Sequence, residues 1–292
     1  MSRVLALGNA TLDVIQRVDR LPLPGETRIG AAPLRCAGGK GLNQAVAASR
    51  AGAAVTLVAA VGADPEGALV RAALATEALD ARWIAAPSPT DHSSIWVAAD
   101  GENMIVSSDA CAEAIDPTMA DNAVGSLGPG DWLLLQGNLA LRTTRHAARA
   151  ARERGAFVAF NPAPIKDDLS TVLPATDVVV LNAVEAATLG GVAAVLAGGP
   201  RLVLLTRGGA GAVLHARDGA QEIAAPQVTA IDTAGAGDVV AGTLVALLAR
   251  GVTPARAAAL AVRAASLSVT REGTLPSFPT HAEMRELVAG GV

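Results

Sequence analysis

The sequence predicts an α/β fold in which helices cover both faces of a mostly parallel sheet, with a small second sheet beside it. Short aliphatic runs alternate with alanine-rich segments of helical length. Most of these runs are apolar throughout, which is typical of strands buried on both faces. Two regions, at about 14–37 and 92–108, contain short alternating pieces instead and predict separate β structure.

In chain order, the predicted strands are RVLAL, AAVTLVAAVG, DWLLLQG, AFVAFNP, DVVVLN and RLVLLT. The predicted helices between them include GLNQAVAASRAGA and TTRHAARAARERG. Alternation on both sides of Asp100-Gly101 predicts a hairpin, and AVLHARDGAQEIAA predicts another. The sequence contains no repeat, linker or low-complexity segment, so we expect one domain over residues 1–292, with a β lid formed by about 14–37 and 92–108.

The composition argues against several classes of protein. Of the 292 residues, 51% are hydrophobic but only 2% are aromatic, so the core must be aliphatic. The net charge is −4 with no basic stripe, and no unbroken apolar run reaches the roughly 18 residues of a membrane span. We therefore expect neither nucleic acid nor membrane as a partner. Cys36 and Cys111 form no C-x-x-C pair, and the N-terminal apolar run is too short for a secretory signal, so we expect a cytoplasmic protein.

The segment DTAGAGD, residues 232–238, precedes an apolar run and predicts the entrance of a helix, without being helical itself. Backbone N–H groups at a helix entrance favour an anion, and glycines let an oxyanion approach closely. Asp238 would then be a carboxylate beside an anion site, which suits phosphoryl transfer with a carboxylate base. The alternative is that Asp238 only caps the helix, the usual role of a lone aspartate there.

Other motifs are weak when taken alone. GAGDVVAG has Val240 where a dinucleotide fingerprint needs its third glycine, and GGKGLN lacks the spacing of a P-loop. TRGGAG, residues 206–211, predicts a loop with exposed amides between two strands. The four histidines show no metal-ligand spacing.

Together, the motifs resemble the PfkB/ribokinase family of sugar and nucleoside kinases over nearly the whole chain, with a pattern most similar to ribokinases. They are GNATLD (8–13), LPLPGET (21–27), GGKGLNQAVAASRAG (38–52), NPAP (161–164), LNAVE (181–185), TRGGAG (206–211) and DTAGAGD (232–238). The resemblance implies a Rossmann-like, three-layer αβα sandwich with a small β-sheet lid. It also implies transfer of the γ-phosphate of ATP to a hydroxymethyl group of a small sugar, such as ribose or a related pentose or ketose.

The resemblance also implies roles for single residues. Asp238 would be the catalytic base, and the transferring phosphoryl group would be held by the amides of Gly235, Ala236 and Gly237. The sugar would be held by Thr11, Asp13, Gly39, Lys40, Asn43 and Asn138. The nucleotide would contact Asn182, Thr206, Gly208, Gly209, Gly211 and Gly237.

Two cations and a second copy of the chain are implied in the same way. Glu185 would organise Mg²⁺ through water molecules. An activating K⁺ would be held, mainly by backbone oxygens, at Asp232, Ala234, Ser268, Arg271, Gly273 and Ser277. The family also implies a homodimer formed through the lid.

Several alternatives stay open on the sequence alone. Lys40 could be a surface charge of the lid, and Asn182 with Glu185 could form a helix capping box, alone or in addition to ligand binding. Asn138 stands where ribokinases usually carry a glutamate, which weakens the assignment of ribose. The absence of tyrosine argues mildly against a nucleoside acceptor. A non-catalytic sugar-binding protein and a dinucleotide oxidoreductase are the competing function classes.

Overall fold

The computed structural model describes residues 2–290, which form two sheets and the helices around them. The strands are β1 (Arg3–Leu7), β2 (Thr11–Arg17), β3 (Leu34–Gly38), β4 (Ala54–Val61), β5 (Asp80–Ala85), β6 (His92–Val97), β7 (Asn103–Ser107), β8 (Trp132–Gln136), β9 (Phe157–Asn161), β10 (Val178–Asn182), β11 (Leu202–Thr206), β12 (Ala212–Ala216) and β13 (Gly219–Ile223). The α-helices are α1 (Lys40–Arg50), α2 (Pro65–Leu74), α3 (Ala110–Glu113), α4 (Pro117–Val124), α5 (Leu141–Glu153), α6 (Ala183–Thr188), α7 (Val192–Ala197), α8 (Ala236–Ala249), α9 (Pro254–Ser268) and α10 (His281–Ala289). Short 3₁₀ helices cover Leu169–Ala175, Gly208–Ala210 and Leu275–Ser277.

The larger sheet has nine strands in the order β13-β12-β11-β10-β9-β8-β1-β4-β5. Its strands are parallel except for β12, which runs antiparallel to both neighbours in the predicted edge hairpin. The prediction of a mostly parallel sheet is confirmed. Strand β1 lies between β4 and β8, so the direction of strand order reverses there. In open α/β sheets a crevice opens at the carboxyl end of such a switch point, and ligands bind in it.

Helices bury both faces of this sheet, as the continuous apolar strands predict. Val4 and Ala6 of β1 belong to the core that contains α1, α8 and α9. Leu5 and Leu7 belong to the opposite core, which contains α4 and α5. Since successive side chains of a strand point to opposite faces, this alternation places the sheet between two helical layers. The fold is therefore a three-layer αβα sandwich. No helix within residues 2–290 is long and apolar enough to cross a membrane.

The small sheet consists of four strands in the order β3-β2-β6-β7. Strands β6 and β7 form the predicted hairpin, and Gly101 turns it with a φ of 90°. Strand β7 is exposed along its whole length, whereas β2 has buried positions in the middle of the sheet. The chain passes directly from β1 into β2, so the small sheet begins at the switch point of the large one.

Candidate active site

Four neighbouring parallel strands each end in a polar side chain at one edge of the large sheet. These residues are Gln136 of β8, Asn161 of β9, Asn182 of β10 and Thr206 of β11. Because they end adjacent strands, these residues lie at the same edge of the sheet, and Asn161, Asn182 and Thr206 line a cavity there. Gln136 and Asn161 are buried, whereas Asn182 is exposed.

Helix α8 begins in this crevice at Ala236, and the residue before it needs to be glycine. Gly235 has a φ of 77°, and a Cβ atom there would lie 2.7 Å from the ring of Phe278. The predicted helix entrance is confirmed. The expectation that DTAGAGD is not helical is wrong for its last three residues, since Ala236, Gly237 and Asp238 form the first turn. An acid is favourable in the first turn because it complements the helix dipole, and this offsets low intrinsic propensity.

The Asp238 carboxylate contacts side chains of α1 and does not cap its own helix. Its side chain is buried, and α8 has no side-chain cap. Oδ1 accepts a hydrogen bond from Nε2 of Gln44 at 2.9 Å, and Oδ2 accepts one from Nδ2 of Asn43 at 3.0 Å. Nζ of Lys40 lies 3.9 Å from Oδ1. The capping alternative is therefore excluded by the geometry.

The N-terminus of α1 lies next to that of α8. Asn9, between β1 and β2, fixes it through two hydrogen bonds. Gly39 precedes the helix with a φ of 94°. Oδ1 of Asn9 accepts the N–H of Gly41 at 3.1 Å, and the carbonyl of Asn9 accepts the N–H of Leu42 at 3.0 Å. Two helix N-termini thus meet at the crevice, and both favour negative charge there.

A polar cavity of about 240 Å³ opens at this meeting point. Charged groups from three elements line it: Lys40 from α1, Glu185 from α6 and Asp238 from α8. Lys40 lies close to Asp238 and interacts electrostatically with Glu185. The ammonium group therefore faces the cavity, which argues against the alternative that Lys40 is only a surface charge.

Asn182 and Glu185 form the capping box that was one of the two alternatives for this pair. The backbone N–H of Asn182 donates to Oε2 of Glu185 at 2.9 Å, and the N–H of Glu185 donates to Oδ1 of Asn182 at 2.9 Å. Burial is the main cause that raises the pKa of Glu185, with the nearby Asp238 charge adding to it and Lys40 opposing it. The carboxylate also lines the polar cavity, so capping leaves it available to a ligand.

A second cavity of about 240 Å³ adjoins the first and is largely apolar. The two cavities share Thr206, Thr233 and Gly237. Its aliphatic walls are formed by Ala225, Pro226, Val228, Ala230, Val240, Val262, Ala265 and Val269. Its rim includes the predicted nucleotide-binding residues Gly208, Gly209 and Gly211. The structure thus brings these loop glycines together with Thr206 and Gly237.

The small sheet contributes a polar row that leads to Asp13 of β2. Asp13 pairs with Cys36 and with Ser93 on its two neighbouring strands, and Ser93 pairs with Ser107. Oγ1 of Thr11 donates to Oδ1 of Asp13 at 2.8 Å, and Ser93 also bonds to Asp13. Burial of Asp13 raises its pKa, and the negative charge of Asp238 adds to this rise. The hydrogen bonds from Thr11 and Ser93 act in the opposite direction but are outweighed. Asp13 and Asp238 therefore lie close enough to influence each other.

Asn43 presents an unused acceptor in this region, because its Oδ1 is buried and has no hydrogen-bond partner among residues 2–290. Asn138 lies two residues after the end of β8 and outside the residues that line the two cavities. Its carbonyl accepts a bond from Nζ of Lys166 at 2.9 Å. Its Oδ1 is also buried without a partner in the described chain, so it is free to accept a hydrogen bond from a hydroxyl group.

The segments predicted to hold a monovalent cation are joined by Asp232. Its Oδ1 accepts the N–H of Ala234 at 2.9 Å, and its Oδ2 accepts the N–H of Gly273 at 3.0 Å. The Arg271 side chain forms an ion pair with Glu283. Ser268 and Ser277 are buried beside these segments.

Sequence reasoning assigned no role to several residues of the site. Three of them, Gln44, Gln136 and Asn161, lie within segments that the sequence analysis singled out. Asn9 supports the N-terminus of α1, and Ser93 supports Asp13. One usable signal was available: a polar residue that ends a buried parallel strand lies at the ligand edge of the sheet. No comparable signal identifies Gln44, because its role depends on which helix packs against α1.

Comparisons with known proteins identify the family to which the chain is similar. A family model described as pfkB family carbohydrate kinase matches residues 1–281. The ribokinase of Haemophilus influenzae is 32% identical over 296 residues, which cover 97% of this chain and 97% of that protein. The ribokinase of Bacillus subtilis is 30% identical over 295 residues, which cover 99% and 100%. The crystal structure of ribokinase from Thermotoga maritima matches with a TM-score of 0.89 at 25% identity, covering 99% of this chain and 100% of that one.

The raised pKa of Asp13 predicts that its charge destabilises the fold near neutral pH. The native state keeps the proton to a higher pH than the unfolded chain, so this residue's contribution to stability falls as pH rises through the two pKa values. Asp13→Asn removes the charge, and both hydroxyl partners can rotate to suit an amide. We expect a higher free energy of unfolding than wild type at about pH 7.5, and a smaller difference below the ordinary carboxyl pKa of about 3.9.

Urea unfolding at both pH values measures this difference, with the exposed Asp167→Asn as control. A variant that is less stable than wild type at the higher pH would contradict the prediction.

Proposed function

The chain belongs to the pfkB family of carbohydrate kinases, and from this premise we propose that it transfers the γ-phosphoryl group of ATP to the hydroxymethyl group of a small sugar, with ribose as the expected acceptor. The observation that carries the proposal is the position of the Asp238 carboxylate. It is buried at the N-terminus of α8, lines the polar cavity, and lies within electrostatic reach of Asp13. A base, an anion site and a polyol-binding acid therefore meet at one point.

The chemistry follows from what each group can accept or donate. Asp238 would orient the attacking hydroxyl and accept its proton as the bond to phosphorus forms. The backbone N–H groups of Gly235 and Gly237, at the start of α8, would stabilise negative charge on the transferring group. The N–H of Ala236 would join them on leaving the carbonyl of Thr233, to which it donates at 3.3 Å. Lys40 adds a positive charge at the same cavity. Asp13 and the free Oδ1 of Asn43 would accept bonds from sugar hydroxyls.

The two adjoining cavities support ATP as the donor. The apolar cavity has the aliphatic walls that a nucleobase and ribose need, and its rim of glycines exposes backbone amides. The polar cavity, which shares Thr206, Thr233 and Gly237 with it, would take the phosphates. A nucleotide that spans both would bring its terminal phosphate to Asp238.

The donor set of the polar cavity also fits Mg²⁺. The Glu185 carboxylate lines the cavity, and Mg²⁺ commonly keeps water molecules between itself and a single protein carboxylate. The bound ion would neutralise phosphate charge. Burial raises the pKa of Glu185, and a cation bound nearby would offset this rise by favouring the carboxylate.

The proposed identity of the sugar rests on the similarity to ribokinases. Asn138 would be a neutral acceptor where those enzymes usually have a glutamate. A polar group left without its partner penalises the wrong acceptor, so a change at this position would let a related pentose or ketose displace ribose as the best acceptor.

Asp238→Asn should remove turnover while substrate binding persists. An amide is a poor base, and loss of general-base catalysis alone lowers kcat by about 10²–10⁴-fold. NH₂ groups of Asn43 and Gln44 face the two oxygens of Asp238, so the NH₂ group of an asparagine must face one of these donors. We therefore also expect a loss of about 1–3 kcal/mol in the free energy of unfolding. Turnover of ATP with ribose, other pentoses, ketoses, hexoses and nucleosides measures the activity, and calorimetry measures the dissociation constants.

Asp116→Asn is the matched control, because Asp116 caps α4 and should leave kcat unchanged. Wild-type protein that phosphorylates no acceptor of the panel would overturn the proposed function. A folded Asp238→Asn variant with near-normal kcat would overturn the role of Asp238 as base.

We also propose K⁺ as an activator. Asp232 ties the loop before α8 to Gly273, so a cation among the carbonyls of these segments would stabilise the Gly235 turn on which the anion site depends. A large, weakly hydrated ion suits backbone carbonyls better than a small one.

Activity should therefore be higher in KCl than in NaCl or tetramethylammonium chloride at equal ionic strength. Asp232→Ala should lower activity in all three salts and remove the difference between them, since it releases the loop. The initial rate at saturating substrates measures the effect. Equal wild-type rates in the three salts would contradict K⁺ activation.

A second copy of the chain is the partner that we propose for the small sheet. The sheet and the segment between β2 and β3 expose large apolar side chains, which are Leu23, Ile29, Leu34, Met104, Ile105 and Val106. Such a concentration on an edge strand and its surroundings favours association. Pairing of two small sheets would cover β7 and bury these side chains.

We expect sedimentation equilibrium to give twice the mass of the 29.1 kDa chain. Ile105→Asp should shift the equilibrium towards monomer by placing a charge in the apolar contact, whereas Met119→Asp on α4 should not. A monomeric wild type, or an Ile105→Asp variant that remains fully dimeric, would contradict this interface.

A further inference from the structure

We propose that Gln44 is a positioning residue that fixes the Asp238 carboxylate through a one-way chain of buried amide hydrogen bonds. The inference rests on the proposed function, in which Asp238 is the base. Gln44 is fully buried in α1, and it does not line either cavity. It would therefore act through Asp238 and not by contacting a substrate.

The chain joins helix α8 to three strands of the large sheet. Nε2 of Gln44 donates to Oδ1 of Asp238 at 2.9 Å and to Oδ1 of Asn161 at 3.0 Å. Oε1 of Gln44 accepts from Nε2 of Gln136 at 3.0 Å. Nδ2 of Asn161 donates to the carbonyl of Val180 at 2.9 Å. The carboxylate is thus connected to the ends of β8 and β9 and to the backbone of β10.

The backbone carbonyl at one end sets the direction of every bond in the chain. The carbonyl of Val180 can only accept, so Asn161 must turn its NH₂ group towards it and its oxygen towards Gln44. Gln44 must then present its NH₂ group to Asn161 and to Asp238, and its oxygen to Gln136. A flip of Asn161 or Gln44 would oppose like groups at every one of its partners, and a flip of Gln136 would turn its oxygen towards Oε1 of Gln44.

This direction has a consequence for Asp238. Its Oδ1 faces the NH₂ of Gln44, and its Oδ2 faces the NH₂ of Asn43, so neither partner can accept a proton from it. Both oxygens are held as acceptors, and each keeps a lone pair to which the attacking hydroxyl can donate. Positioning of this kind improves the alignment of the reacting groups without adding a contact to the substrate.

Gln44→Met removes the donor at similar size and should lower kcat by roughly 10- to 100-fold, the loss expected for one hydrogen bond to a charged group. The KM values for ATP and for the best sugar of the panel should change by less than about threefold, because Gln44 touches neither cavity. Gln44→Glu should lose more activity than Gln44→Met, since it places a carboxyl group against Asp238.

A double-mutant cycle separates positioning from a general loss of structure. In the Asp238→Asn background, Gln44→Met should lower the residual kcat by less than about threefold, because the group that it positions is already gone. Ser49→Ala is the matched control on α1: it removes another buried bond, from Oγ of Ser49 to the carbonyl of Ala78, without a link to Asp238. It should lower thermal stability but leave kcat unchanged.

Gln136→Leu provides a second variant if Gln44→Met does not fold. It releases Oε1 of Gln44 without touching Asp238, and it should lower kcat in the same direction by a smaller factor. A wild type that turns over no sugar overturns the proposed function and this inference with it. An active wild type overturns this inference alone if the Gln44→Met variant, or Gln136→Leu in its place, keeps its kcat, or if the loss in the cycle is fully additive.

Discussion

The close contact between the N-terminal halves of α1 and α8 is the constraint on which the site depends. A Cβ atom at Gly242 would lie 2.3 Å from the carbonyl oxygen of Gln44, so only glycine allows the two helices to approach this closely. Asp238 lies four residues before Gly242 and therefore on the same side of α8. The glycine contact thus brings the carboxylate within hydrogen-bond distance of Asn43 and Gln44. Packing between two helices, and not a loop, sets the position of the proposed base.

The electrostatics of the site suit ligands that bring both hydroxyl groups and phosphates. Burial raises the pKa values of Asp13 and Glu185, with the charge of Asp238 adding to both. Lys40 and two helix N-termini supply the opposing positive potential. Perturbed carboxylates of this kind are typical of functional sites, because the free energy of holding the buried charges is recovered when donors and cations bind. Sugar hydroxyls would satisfy Asp13, and a metal–nucleotide complex would satisfy Glu185.

Much of this arrangement could be predicted from local patterns. The parallel sheet follows from continuous apolar strands, the entrance of α8 from its glycines, and the Asn182–Glu185 capping box from a three-residue spacing. The bond between Gln44 and Asp238 could not be predicted, because 194 residues separate them and no local rule pairs α1 with α8. The capping interpretation of Asp238 failed for the same reason. Its carboxylate accepts hydrogen bonds from Asn43 and Gln44 of a distant helix and not from the backbone of its own helix.

The groups that would handle phosphate and the groups that would choose the sugar differ in how they are placed in the fold. The groups that would handle phosphate lie at the strand ends of the large sheet and at two helix N-termini, where backbone geometry leaves little freedom to vary. The groups that would choose the sugar are more dispersed, with Asp13 and Ser93 on the small sheet, Asn43 on α1 and Asn138 after β8. Exchange of a carboxylate for an amide at one such position would change which hydroxyl groups are bound without altering the groups that handle phosphate. Motifs and fold therefore define the kinase more sharply than they define its sugar.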